Sequence, residues 1–199
     1  EMMIFANSLM AEFLSNNNMP AVFRSQAQPK QRLFKGIETS LSLNFMQRKQ
    51  LSRAMIGTNP ESHSGLGVKA YVTATSPIRR YHDLLTQRQI KAIFGYGKAY
   101  SKPELETILQ TISPSIANAG RVQASRKRYW ITKYLESKKG TAYEALVLDC
   151  HRDHYNVLVK EFMLEAKLPP SGIRLKNGDI VQVIVQHADA RRNQLSLFV

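Results

Sequence analysis

The chain has 199 residues, of which 43% are apolar and 22% charged, enough to bury a sizeable core in one or two domains and to exclude a disordered chain. No run of about eighteen apolar residues is present and the opening "EMMIFANSLM" lacks the flanks of a secretory signal, so the expectation is a soluble, cytoplasmic protein. The single cysteine, Cys150, excludes an intrachain disulfide and a zinc-ribbon framework, and a net charge of +13 with pI ≈ 10.0 points to a polyanionic partner.

The first element is an amphipathic helix, with Met2, Ala6, Leu9 and Phe13 at helical spacing and Met3, Met10 and Leu14 beside them. It ends at "SNNNMP". The pattern is already running at Glu1, without a cap or initiator methionine, which reads as a cut from something longer. A second helical stretch is expected over roughly 30–56, followed by the polar loop "GTNPESHSGLG" and a short extended segment, "VKAYVTAT". Thr75 or Ser76 then offers an N-cap, Pro77 a first helical position, and Ile78, Tyr81, Leu85 and Ala92 a buried stripe reaching about Phe94. A further helix ends near Lys138, with Trp130, Ile131, Tyr134 and Leu135 facing inward and Arg126, Lys127, Arg128 and Lys133 mostly outward. Beyond Gly140 the period becomes alternating, in "YEALVLD", "YNVLVKEF", "DIVQVIVQH" and "QLSLFV", with a turn at Asn177 and Gly178. These are the short strands of a small five-stranded barrel of the OB type.

Charge is divided unevenly. From Gly140 to Val199 basic and acidic residues are equal in number, so the whole excess lies in residues 1–139, where Asp83 is the only aspartate. Arg79 and Arg80 fall close to the expected helix start, where the macrodipole disfavours cations unless an anion is present. A phosphodiester gripped by backbone N–H groups and a guanidinium fork answers that arrangement. Solvated arginines, or arginines paired with carboxylates elsewhere in the fold, answer it equally well from charge alone.

"SHSGLGVKAYVTATSPIRRYHDLL" resembles the closing signature of the RNB-domain exoribonucleases, the ribonuclease II and ribonuclease R family: a His-x-Gly-Leu segment, then Ser-Pro-Ile-Arg-Arg/Lys-Tyr-x-Asp-Leu. "EMMIFAN", "MPAVFR" and "RYWITKYLE" are similar to further motifs of that family in the same order, and "LKNGDIVQVIVQHADARRNQLSLFV" resembles its terminal RNA-binding barrel, of the type first named for ribosomal protein S-one. The resemblance implies an α+β chain: residues 1–139 as the mainly helical C-terminal half of an RNB catalytic domain, and residues 140–199 as the OB-fold RNA-binding domain.

It also implies a magnesium-dependent hydrolase that degrades single-stranded RNA from the 3′ end to nucleoside 5′-monophosphates, with no membrane partner. By the resemblance Arg79 matches the catalytic arginine that contacts the phosphate near the scissile bond, and Arg24, Tyr71, Ser76 and Arg80 are supporting RNA contacts. In the barrel Tyr155 and Phe162 are candidates for base stacking, though alternation with apolar neighbours favours packing, and Arg191 and Arg192 are candidates for phosphate binding.

Two departures bear on activity. Metal-assisted phosphodiester hydrolysis needs closely spaced carboxylates, and one aspartate in residues 1–139 cannot supply them. The magnesium ligands are therefore expected outside this chain, in the missing N-terminal half of the catalytic domain. Gln123 also stands where the family usually has a glutamate. The alternative is thus a non-catalytic RNA-binding module or an inactive relative. Cys150, His151 and His154 in "DCHRDH" read as polar turn residues rather than metal ligands, His63 as part of the family's loop, and His82 as a packing or surface residue.

Overall fold

The computed structural model describes all 199 residues. In chain order it contains α1 (Met2–Asn16), β1 (Phe23–Ser25), α2 (Leu41–Gln50), β2 (Met55–Gly57), α3 (Tyr81–Ile93), α4 (Lys102–Glu136), β3 (Ala142–Cys150), β4 (Tyr155–Val159), β5 (Leu164–Leu168), β6 (Ile180–Asp189) and β7 (Gln194–Phe198). The chain forms two compact units, Glu1–Pro114 and Ser115–Val199. Their boundary falls inside α4 at Pro114, which has no N–H for the helical ladder. The element type changes at Gly140 as the pattern predicts, but the unit that holds the strands begins earlier, because Leu135 of α4 is buried in the strand core.

In the first unit α1 buries Asn7, Ala11 and Leu14, whereas Met2, Met3 and Leu9 of the expected stripe are exposed. The buried stripe therefore lies to one side of the bulkiest apolar residues. Ala11 and Leu14 pack with Ala21, Phe23, Ala70 and Val72, and a neighbouring cluster joins Val22 to Leu85, Leu105 and Leu109. The second expected helix is shorter than predicted. Gly36 adopts φ +83, which no helix continues through, and Ser40 caps a fresh start by accepting from the Leu43 N–H at 3.3 Å. Residues 30–33 run instead as a strap along α2: the Lys30 N–H donates to the Gln50 carbonyl, and Gln47 bonds both Leu33 N and Gln31 O.

In the second unit the sheet order is β5-β4-β3-β6-β7, all antiparallel, and the edge strands β5 and β7 approach each other to give a nearly closed five-stranded barrel. Its interior is filled by alternating residues such as Val157, Ala166, Leu168, Val183, Val185 and Leu197. The expected strand "YNVLVKEF" ends at Val159; Met163 takes φ +48 in the turn that follows, and β5 is a further strand. Arg128 of α4 spans the remaining seam, donating Nη1 to the Glu165 carbonyl of β5 at 3.0 Å and Nε to Asn193 Oδ1, just before β7, at 2.6 Å. Trp130 and Tyr134 are exposed, contrary to the predicted inward face, since the side of α4 that meets the barrel carries Ile131, Thr132 and Leu135. No helix is long and apolar enough to cross a membrane.

Candidate nucleic-acid interface

The segment 70–76 is held from three directions. β1 supplies the Arg24 N–H, which donates to the Tyr71 carbonyl at 2.8 Å, and Phe23 bridges Val72. α1 supplies Asn7, whose amide donates to the Tyr71 hydroxyl at 3.0 Å while its carbonyl accepts from the Ala74 N–H at 3.1 Å. α3 supplies Gln87, which donates to the Ala74 carbonyl at 2.7 Å, and Asp83, whose Oδ2 accepts from the Ser76 N–H at 2.8 Å. Each of these bonds satisfies a polar group withdrawn from water, so the segment has little freedom to move.

What emerges from it is a turn. The Ser76 carbonyl accepts from the Arg79 and Arg80 N–H groups at 3.3 and 3.0 Å, so Ser76-Pro77-Ile78-Arg79 is a β-turn with proline at its second position, and α3 starts only at Tyr81 with Arg80 as N-cap. This corrects the expectation that Thr75 or Ser76 caps a helix beginning at Pro77. Ile78, expected in the buried stripe, is fully exposed at the turn's tip, and Tyr81 is also exposed. The buried face of α3 is made by Asp83, Leu85, Thr86 and Gln89.

The two arginines differ. Arg80 donates Nη2 to Asp83 Oδ2 at 2.7 Å and to Thr75 Oγ1 at 3.1 Å, and its side chain is 30% exposed against 0% for Asp83. Arg79 is exposed and makes only a long 3.4 Å contact from Nη2 to Ser76 Oγ. Thus the lone aspartate of this unit is committed to its neighbour, and the exposed Arg79 guanidinium has no carboxylate partner.

Close by, buried polar atoms lack protein partners: Arg24 Nε, His63 Nδ1, His82 Nε2, Arg80 Nε and Asp83 Oδ1. The His63 ring meets the Tyr71 ring edge-on at 5.8 Å between centroids. Burial pushes the proton affinity of both His63 and His82 below the ordinary histidine value, and the charge of Arg24 lowers it further, which places Arg24 near both rings; Asp83 opposes the shift at His82. Both imidazoles are accordingly harder to protonate than an exposed histidine. The loop that carries His63 is tightened at Gly65, whose N–H donates to Gln26 Oε1 at 3.1 Å; a Cβ there would collide with the same oxygen.

Sequence reasoning missed Asn7, although a polar residue in register with Ala11 and Leu14 is a signal of internal hydrogen bonding, and it counted Asp83 without foreseeing its role. Tyr71 is buried with its hydroxyl accepting from Asn7, so it forms part of the frame. The barrel candidates do not share one surface. Tyr155 pairs with Cys150 at the end of β3, while the hairpin bearing Arg191 and Arg192 projects beyond the opposite end, where β6 pairs with Ala142. Tyr155 is half-buried and donates its hydroxyl to the Ile173 carbonyl at 3.3 Å; Arg192 is tied to Asp189, and Arg191 is exposed. Phe162 packs between Tyr134 and Tyr143.

The "DCHRDH" side chains are engaged separately: Cys150 with the Leu175 carbonyl, His151 with Asn156, and His154 with Asp153, the two imidazoles stacking at 4.5 Å. No group of three or more His, Cys, Asp or Glu residues is arranged to hold a metal ion. A magnesium site for phosphodiester hydrolysis therefore does not fit the residues of this chain.

Residues 1–96 match the RNB domain family. The chain is 32% identical over 206 residues to an uncharacterized ribonuclease of Synechocystis, covering 98% of this chain and 30% of the relative. It is 33% identical over 208 residues to the chloroplastic/mitochondrial ribonuclease II of Arabidopsis thaliana, covering 100% of this chain and 25% of the relative. The chain thus spans less than a third of the length of these relatives. Among solved structures, an active-site mutant of the Dss1 exoribonuclease from Candida glabrata shares the fold with a TM-score of 0.82 at 21% identity, over 100% of this chain and 28% of that one. Mycoplasma genitalium RNase R in complex with ribose-methylated single-stranded RNA does so with a TM-score of 0.71 at 17% identity, over 100% of this chain and 40% of that one.

Proposed function

Because the chain belongs to the RNB-domain family of ribonucleases, we propose that it is the RNA-holding part of a 3′-to-5′ exoribonuclease, in which Arg79 contacts the phosphate next to the scissile bond. The observation that carries this reading is the unequal use of the arginine doublet. Arg80 is neutralised by buried Asp83, and the turn so fixed presents an exposed, unpaired Arg79. A planar guanidinium with free donors suits two phosphate oxygens, and a rigid mount keeps that contact from costing conformational entropy on binding.

In this reading single-stranded RNA is the substrate, nucleoside 5′-monophosphates are the products, and magnesium is held by carboxylates outside this chain, whose own residues form no such cluster. Ser76, Tyr71 and Arg80 act by holding the turn. Arg24 adds positive potential from below, with His63 and His82 beside it. The barrel contributes weaker contacts through Tyr155 at one end and Arg191 and Arg192 at the other.

The test is binding of a labelled oligouridylate by fluorescence anisotropy. Arg79→Ala should weaken binding about tenfold and reduce the salt dependence by about 0.7 in logarithmic slope, the share of one phosphate contact on a single strand. Unchanged affinity and slope would remove Arg79 from the interface. With magnesium, this chain alone should leave the oligonucleotide intact. The second reading, a non-catalytic RNA-binding module, is favoured by exposed Gln123 in place of a glutamate and by the lack of a carboxylate cluster. Degradation by a longer form of the protein that includes the missing carboxylates would decide against it.

A further inference from the structure

Between positions 26 and 57 the sequence carries Lys30, Arg32, Lys35, Arg48, Lys49 and Arg53 against a single acid, Glu38. Glu38 is occupied locally: its Oε1 accepts from the Ser40 N–H at 2.7 Å and its carbonyl from the Asn44 amide at 2.7 Å, so it organises the entry to α2. None of Lys30, Arg32 and Lys35 is in an ion pair, and all three are exposed. The placement of Arg48 and Lys49 has a simpler account, since cations in the last turn of α2 complement its dipole and Lys49 also lies over the Phe45 ring. The strap cations have no such account. Lys30 and Arg32 stand on the strap held against α2 by Gln47 and by the Gln50 carbonyl, and Lys35 follows two residues after its last bond.

Beneath the strap is a cavity of about 240 Å³, lined among others by Pro29, Arg32, Phe34, Gln47 and Leu51. It brings together the Phe34 ring and the Arg32 guanidinium, with the Gln47 amide already bonded to the Leu33 N–H and the Gln31 carbonyl, and a ring beside a guanidinium is a set that takes a base by stacking and hydrogen bonding. Ser64 also lines it, and the adjacent residue His63 packs on Tyr71, so a single loop connects this cavity to the Arg79 site.

We propose that the strap and α2 form a second RNA-binding site, which takes one base into the cavity beside Phe34 and the neighbouring phosphates on Lys30, Arg32 and Lys35. The site rests on the reading that the chain binds RNA and adds a separate anchor upstream or downstream of the Arg79 contact. Unpaired cations on an exposed irregular segment can follow a phosphate backbone; a cavity of this size at the same place gives each bound strand a fixed register.

The experiment uses the full chain with short and long oligouridylates, followed by anisotropy over a range of salt. The triple variant Lys30→Glu, Arg32→Glu, Lys35→Glu should weaken binding of the long oligonucleotide at least about tenfold and reduce the logarithmic salt slope by about two. Phe34→Ala should lower affinity about fivefold while leaving that slope unchanged, since stacking releases no counterions. Circular dichroism confirms that both variants fold. If Arg79→Ala weakens binding and the triple variant does not, this second site is refuted and the first stands. If the wild-type chain binds neither oligonucleotide, both are refuted. A triple variant that keeps its RNA affinity but no longer binds phosphatidylserine vesicles would assign the patch to a membrane surface and overturn the proposal.

Discussion

Replacing Asp83 with alanine should destabilise the first unit by about 2–3 kcal/mol. The side chain is fully buried, and its Oδ2 accepts from the Ser76 N–H and from Arg80 Nη2 at 2.8 and 2.7 Å. Hydrogen bonds to a charged group contribute about 1.5–3 kcal/mol each, and removing one partner of a buried ion pair costs about 3–5 kcal/mol. The upper figure is too large here, because the Arg80 side chain is 30% exposed and water replaces part of what the carboxylate provided. Asp83→Asn keeps the volume and one acceptor and should cost about half as much. Hydrogen exchange at the α3 amides is the appropriate assay. The sole tryptophan, Trp130, lies in the second unit, and its fluorescence reports on a different part of the chain. Alanine at position 83 should raise exchange at Ser76, Arg79 and Arg80 before it affects Leu85. A loss below about 0.5 kcal/mol, the range of a neutral surface change, with unchanged protection of that turn, would refute the claim that Asp83 holds it.

Acidification should destabilise the same unit. His63 and His82 have proton affinities below their ordinary value when folded, through burial and the charge of Arg24, so the unfolded chain takes up protons first. Their contribution is complete above the unfolded value of about 6.5 and is lost as pH falls below it, giving stability that rises with pH across that window. His63→Gln should flatten that rise in urea midpoints measured from about pH 5 to 7. In the second unit, Arg128→Ala removes the two bonds that join β5 to the residue before β7 and should cost about 1–2 kcal/mol, seen as faster exchange at Ala166 and Leu195 with little change in the middle of β3.

The barrel was legible because alternation is a strong signal, and four of its segments were visible as such. The fifth strand was hidden in "YNVLVKEFMLEAKL", where the reversal is made by Met163 at positive φ rather than by glycine or proline, and no turn residue marks it. Helical periodicity located α1 and α4 and found part of each buried face, Leu14 in one and Ile131 and Leu135 in the other, but it also turned exposed residues inward. It weights bulk, and the space available at α1 admits Asn7, Ala11 and Leu14, while the barrel admits Thr132 and Leu135 and leaves Trp130 and Tyr134 outside. At α2 the expected helix ran through Gly36 and Ser40, and those two residues set the real start.

The Ser-Pro-Ile-Arg stretch shows why the site was harder. Proline is favoured both at the first residue of a helix and at the second of a β-turn, so local preference cannot choose between them. Tertiary partners do. Asp83 captures the Ser76 N–H from within α3, and Asn7 captures the Ala74 N–H from α1, which draws the segment out of helical continuation and delays the helix to Tyr81. The same carboxylate then explains the doublet of arginines. A turn carrying one arginine would have to choose between bonding its own scaffold and meeting an anion; with two, Arg80 bonds the scaffold and Arg79 is left exposed for the phosphate contact proposed above. Lysine should therefore be tolerated better at 79 than at 80, because Arg80 must reach Asp83 Oδ2 and Thr75 Oγ1 together from one planar fork, whereas a point charge at 79 still attracts phosphate. Equal loss of α3 protection in Arg79→Lys and Arg80→Lys would break that division of roles.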